Sequence, residues 1–210
     1  MHALLLATSN LHKLEEYRAI FSDLPLRLVS LSDIYLAIDV EETGTTFSEN
    51  AELKARTYAQ MSNMLALADD SGLEIDALGG APGVYSARYL GSETSYDERF
   101  RVILELLHGL PLDQRSARFR CVIALAKPSG DIRIAQGVIE GVIANSPRGT
   151  NGFGYDPIFY LPGVGKTFAE LEPGYKNRIS HRARAAQSAR KLLEEWPYDS
   201  WGNYDHPQGH

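Results

Sequence analysis

A chain of 210 residues, 44% hydrophobic and 23% charged, has the make-up of one soluble domain of ordinary size that can bury a core without disulfides. Its formal net charge of −6 argues against a nucleic-acid partner, which needs a basic face, while leaving room for one phosphorylated small molecule held by a few local cations. The single cysteine, Cys121, excludes an intrachain disulfide, fits a reducing compartment and, set in an apolar run, reads as a buried, inert thiol.

The apolar run from Ala3 to Ala7 is too short for a signal-peptide core or a membrane span and has no basic flank. It reads as the first strand of a cytosolic protein with no membrane partner. Thr8-Ser9-Asn10 then leads into a helix from about His12 to Phe21, with Leu14, Tyr17 and Phe21 as its apolar stripe. Arg27 to Leu31 reads as a second strand, followed by an acidic, Thr-rich loop from Glu41 to Thr46. Thr46 and Glu49 have capping-box spacing, so a helix should start near Phe47 and run to about Ser62. A strand ending at Asp69 follows, then the irregular loop Gly79 to Gly83. Ser95 and Glu98 repeat the capping spacing ahead of a helix that ends near His108. Arg118 to Ala126 and Ile132 to Ile143 read as strands joined by a hairpin turn at Pro128-Ser129-Gly130-Asp131. A Gly-rich loop, Gly149 to Gly154, precedes a strand from Ile158 to Leu161, and Ser180 caps a last helix that ends near Glu195. The alternation of strand and helix with one hairpin predicts an α/β fold with an antiparallel portion. Residues 1–196 read as one domain. The tail 197–210 lacks periodicity and reads as either disordered or a partner-docking segment.

The strongest chemical signal is Ala68-Asp69-Asp70-Ser71-Gly72, directly after the apolar run Met64 to Leu67. Adjacent carboxylates repel unless a cation or ordered donors offset them, so the pair suits metal binding or proton abstraction rather than packing. Thr8, Ser9, Asn10, Leu11, His12 and Lys13 join a strand to a helix. Taken alone, that segment reads as a plain cap with a surface lysine, although the backbone N–H groups of such a turn also make an anion site. Asn50 and Lys54 share a helix face; Lys54 reads equally as a phosphate or metal-water ligand and as an exposed lysine. The loop Gly149 to Asp156 offers backbone that can approach a ligand closely, a ring face from Phe153 or Tyr155, and an acceptor in Asp156; a connector at a sheet edge accounts for it equally well. Lys176, His181 and Arg182 place positive charge around a helix start, where the helix dipole disfavours it, which hints at a bound anion or base oxygen. Gly163-Val164-Gly165-Lys166-Thr167 mimics the end of a P-loop, but Tyr160 stands where the first glycine belongs and Pro162 interrupts the loop. Patterns of zinc proteases, zinc fingers and serine hydrolases are absent from the sequence.

Together these segments resemble the inosine triphosphate pyrophosphatase family, and within it the bacterial dITP/XTP pyrophosphatase branch. The matching pieces, in order, are Thr8 to Lys13, Glu42-Thr43-Gly44, Phe47 to Ala51 with Lys54, Ala68 to Leu73, Gly79 to Arg88, Gly152 to Pro157, and Ile179-Ser180-His181-Arg182. The resemblance spans about Leu4 to Leu193. It implies an elongated mixed sheet with flanking helices, two lobes around a central cleft, and a homodimer. It also implies Mg²⁺-dependent hydrolysis of a nucleoside triphosphate to the monophosphate and pyrophosphate. By position, Thr8, Ser9, Asn10, Leu11, His12, Lys13 and Lys54 would hold the triphosphate. Asp70 would be metal ligand and proton acceptor, with Glu42 as second metal carboxylate and Ser71 beside the substrate. Phe153, Gly154, Tyr155, Asp156, Lys176, His181 and Arg182 would bind the nucleoside. Two other readings stand beside this one: a Maf-like nucleotide pyrophosphatase of different base preference, and a non-catalytic nucleotide-binding protein.

Overall fold

Four consecutive buried apolar residues, Ala3–Leu6, form β1, and such a run is what a strand covered on both faces requires. The computed structural model describes residues 2–196 and Trp201, so most of the tail lies outside the described residues. Helix α1 is Leu11–Ile20 and β2 is Arg27–Ser30. Helix α2, Phe47–Ser62, starts with the expected reciprocal cap. Thr46 accepts the Glu49 N–H at 3.2 Å while the Glu49 carboxylate accepts the Thr46 N–H at 3.1 Å. Its buried residues, including Phe47, Asn50, Ala51, Ala55 and Tyr58, recur at helical spacing.

Strand β3, Ala66–Ile75, corrects the sequence reading: it does not stop at Asp69 but continues through both aspartates for ten residues. Ser71 and Gly72 are residues of this strand. Helix α3 is Tyr96–Leu106, with Ser95 accepting the Glu98 N–H. Strands β4, Ser116–Ala126, and β5, Ile132–Ile143, are neighbours joined by a turn in which the Lys127 N–H donates to the Asp131 carbonyl at 2.9 Å. A link this short makes them an antiparallel hairpin.

Strands β6, Phe159–Leu161, and β7, Lys166–Thr167, form a second hairpin. Its turn contains the P-loop look-alike: the N–H groups of Val164 and Gly165 both donate to the Leu161 carbonyl, so that backbone is spent on the turn. A short helix missing from the sequence reading, α4 at Pro173–Ile179, precedes α5, His181–Glu194. The sheet order is β2-β1-β3-β4-β5-β6-β7, parallel across β2-β1-β3 and antiparallel across β5-β6-β7. This is the mixed sheet with flanking helices that the resemblance implied.

The chain divides into two units. One comprises the residues up to Asp70, Cys121–Gly137 and the chain from Arg184 on; the other comprises Ser71–Arg120 and Val138–Ala183. The core of the first is built from Leu4, Leu6, Tyr17, Leu65, Leu67, Cys121 and the small face of α5, Ala185, Ala186 and Ala189. Trp201 is buried in the same cluster, and its carbonyl accepts the Leu65 N–H. The core of the second is aromatic, with Phe100, Phe119, Tyr155, Phe159 and Phe168. No helix among the described residues is long and apolar enough to cross a membrane.

Candidate active site

In the first unit, the turn from β1 into α1 is ordered by its own side chains. The Asn10 N–H donates to Thr8 Oγ1 at 3.2 Å, and Asn10 Oδ1 accepts the Lys13 N–H at 3.1 Å, which caps the helix. Leu11 is 71% exposed despite its apolar side chain, and His12 is exposed as well. The first turn of α1 contains no acidic residue, so its dipole remains available to an anion.

Strand geometry separates the two aspartates. Successive side chains of a strand point to opposite faces, so Asp69 follows Leu65 and Leu67 toward α1, whereas Asp70 faces α2. The contacts agree. Asp69 Oδ2 lies 3.0 Å from Lys13 Nζ on α1 and 3.7 Å from Cys121 Sγ. Asp70 Oδ2 accepts a hydrogen bond from Asn50 Nδ2 on α2 at 3.0 Å. Each carboxylate therefore has its own partners, and the repulsion expected between neighbours is answered by placement as well as by charge.

Lys54, one helical turn beyond Asn50, donates to Glu42 Oε1 at 2.5 Å and to the Asp69 carbonyl at 2.7 Å. Burial works against its ammonium, but the charges of Asp69, Glu42 and Asp70 outweigh burial and raise its pKa. Burial also dominates at Asp70. Its carboxyl is pushed above the ordinary value of 3.8, with Glu42 adding to the rise and Lys54, Lys13 and the Asn50 hydrogen bond opposing it. Glu42, rather than its exposed neighbour Glu41, makes the lysine contact. The Glu42 and Asp70 carboxylates are hard oxygen donors of the kind Mg²⁺ takes, one or two per ion, with water and phosphate oxygens completing its shell. Among the described residues there is no group of three or more His, Cys, Asp or Glu placed to hold a metal ion.

In the second unit, the loop from Gly149 to Asp156 folds onto its own acceptor. Asp156 Oδ2 accepts the Phe153 N–H at 2.9 Å and a Lys176 Nζ donor at 2.5 Å. Gly152 makes room for this: its φ is +73°, and a Cβ there would stand 2.1 Å from Asp156 Oδ2. Phe153 carries two cations near its ring, Lys176 Nζ at 4.9 Å and Arg182 Cζ at 5.6 Å from the centroid. Arg182, buried at the start of α5, donates to Ser71 Oγ at 2.9 Å. His181 stacks on Phe119 with centroids 4.6 Å apart and planes 14° off parallel. Tyr155 is placed in the aromatic core, its ring edge-on to Tyr96 and its hydroxyl donating to the Ser86 carbonyl at 2.9 Å. Gly154, also at positive φ, lies between Phe153 and Tyr155.

Lys176 is not at a helix start but in the last turn of α4, where the dipole favours positive charge; only His181 and Arg182 occupy the first turn of α5. Sequence reasoning also missed the Phe119 platform under His181 and the Lys13 partner of Asp69. Phe119 read as one more apolar strand residue, and nothing local marks it as a stacking partner.

A family model described as the Ham1 family matches residues 4–192. The chain belongs to the Ham1 family. Among curated Ham1-type relatives, the chain is 47% identical over 196 residues to a protein of Geobacillus kaustophilus named dITP/XTP pyrophosphatase, covering 93% of this chain and 95% of that one. It is 51% identical over 195 residues to a protein of the same name from Xanthomonas campestris, covering 92% and 98%. A solved Ham1 protein from Coxiella burnetii superposes with a TM-score of 0.84 at 46% identity, covering 93% of this chain and all of that one. The Staphylococcus aureus Ham1 structure gives 0.81 at 40% identity, covering 92% and 98%. The family resemblance read from the sequence is thereby borne out for this Ham1 chain.

Proposed function

We propose that this chain hydrolyses ITP, dITP and XTP to the nucleoside monophosphate and pyrophosphate, and so removes these purine nucleotides from the nucleotide pool. The observation that carries the reading is Asp70. It is a buried carboxylate whose pKa is raised, held by a buried amide, with two lysines near enough to act on its charge. The names of the curated relatives and the family match support the same chemistry.

Lys13, Lys54 and the β1–α1 turn bind the triphosphate, whose roughly four negative charges exceed what two lysines neutralise. Glu42 and Asp70 would hold Mg²⁺, which supplies the missing positive charge and polarises what it binds. Asp70 takes a proton from the attacking water as its oxygen forms the bond to the α-phosphorus. The bond from that phosphorus to the bridging oxygen breaks, and pyrophosphate leaves with the electron pair. Donors from His181, Arg182 or backbone N–H groups would favour the 6-oxo group of hypoxanthine or xanthine. The 6-amino group of adenine would meet those donors with another donor, a mismatch that costs roughly 10⁴-fold in a buried site. Phe153 offers a ring to the base, and Ser71 hydrogen-bonds the arginine. The family resemblance also implies one two-lobed domain and a homodimer; beside it, our reading is of a cytoplasmic protein with no membrane partner, and the net charge of −6 speaks against a nucleic-acid partner.

One assay tests this. ITP, XTP, GTP, ATP and dTTP are each incubated with the protein and Mg²⁺, and products are followed by phosphorus NMR. Pyrophosphate forms fastest from ITP and XTP. Equal kcat/KM for ITP, XTP and ATP would sink the base-selection argument, preference for dTTP would favour the Maf-like reading, orthophosphate would indicate a phosphatase, and no product a binding protein.

A further inference from the structure

Asn50 is fully buried on α2 and engages both ends of its amide. Oδ1 accepts the Gly44 N–H at 2.8 Å, and Nδ2 donates to Asp70 Oδ2 at 3.0 Å. A backbone N–H can only donate, so the Gly44 contact fixes which way the amide points. Nδ2 must then face Asp70, and Asp70 Oδ2 must be an acceptor. The approach is close: a Cβ on Gly44 would stand 2.6 Å from Asn50 Oδ1 and 2.7 Å from Glu49 Cβ. The amide also rides on a rigid base, because Glu49, one residue earlier, closes the capping box that starts the helix.

We propose that Asn50 is a positioning residue for the reaction. One amide ties the segment that carries Glu42 to the carboxylate of Asp70. By donating to Oδ2, it fixes the orientation of the carboxylate that is to take the proton. The inference rests on the reading of Asp70 as the general base.

The test exploits an isosteric change. Asn50→Asp keeps the acceptor for Gly44 but sets a carboxylate oxygen against Asp70 Oδ2. With ITP and Mg²⁺ as probe, kcat should fall about 100-fold, the scale expected when a reacting group is misplaced, while KM moves less than threefold. Metal-free melting gives a second readout. Asn50→Asp should lower Tm, and the double variant Asn50→Asp/Asp70→Asn, which rebuilds the hydrogen bond with donor and acceptor exchanged, should restore it while staying inactive. If Asn50→Asp does not fold, a stable double variant still supports the pairing. A kcat within threefold of wild type in Asn50→Asp, or a double variant melting no higher than Asn50→Asp, overturns the proposal. Asp70→Asn alone separates the two claims. If it is inactive while Asn50→Asp is fully active, only the Asn50 proposal fails. If it is active, the reading of Asp70 fails and this proposal with it.

Discussion

Lys13 on α1 and Asp69 on β3 form an ion pair of 3.0 Å in which the aspartate side chain is 1% exposed. An ammonium has three donors, so Lys13 can keep Asp69 and still present N–H groups to phosphate oxygens. Removing the cation leaves a buried charge behind, whereas Asp69→Asn leaves a neutral acceptor. Lys13→Met should therefore destabilise by on the order of 2 kcal/mol, because Lys54 still offsets part of the orphaned charge, and Asp69→Asn by less. Denaturant melts of the two variants check the asymmetry. In kinetics, both should raise the KM for ITP about tenfold, with kcat less affected.

Asp70→Asn is expected to cut kcat by about 10²–10⁴-fold, the usual contribution of a general base, while Mg²⁺-nucleotide binding measured by calorimetry persists. Its effect on stability has a definite sign. Burial raises the Asp70 carboxyl pKa, so between the ordinary value of 3.8 and the folded value the native state holds a proton that the unfolded chain has lost. Native stability therefore falls as pH rises through that window, and the loss is complete above the folded pKa. A neutral Asn avoids it. At pH 7 Asp70→Asn should melt no lower than wild type, and its relative advantage should vanish in acid; a large drop in Tm at pH 7 would contradict the burial argument.

Glu49 predicts the opposite slope. Hydrogen bonds from the Thr45 N–H and hydroxyl, then from Thr46, hold its carboxyl below the usual 4.5. That stabilisation is present above pH 4.5 and is lost as pH falls through the folded value. Glu49→Gln should melt below wild type at pH 7, and the gap should narrow in acid. Circular dichroism melts from pH 7 to pH 3 read this directly.

At Gly152, an alanine would need both a left-handed backbone and a methyl group where Asp156 Oδ2 now lies. Gly152→Ala should displace the Asp156–Lys176 pair and cost about 2 kcal/mol. Activity on ITP should fall at least tenfold, through KM. Phosphorus NMR turnover together with thermal melts provides the check.

Much of the frame was legible because its signals are local. The Thr46/Glu49 spacing marks the start of α2, four buried apolar residues mark β1, and Pro128 to Asp131 marks the hairpin turn. The failures also have local causes. Ser71-Gly72 are turn-prone residues that the sheet holds extended, and α4 is a seven-residue helix whose Pro173 at the first position looks like a stop signal when it is a favourable start. For the site, residue types could be read but pairings could not. Nothing near Asp69 in sequence names Lys13, and nothing near His181 names Phe119, since both partnerships are made by tertiary packing.

Strand β3 is pinned beside β1, with Leu5 opposite Ala66 and Leu6 opposite Leu67. Three residues on from that anchor, the parity of the count decides which aspartate meets α1 and which meets α2. One residue inserted or deleted between Leu67 and Asp69 would exchange their destinations, sending a carboxylate to each wrong neighbour without altering the composition of the site. Such single-codon length changes should be far less tolerated here than in the loop before α2, and the two aspartates are better understood as a ruler than as a cluster.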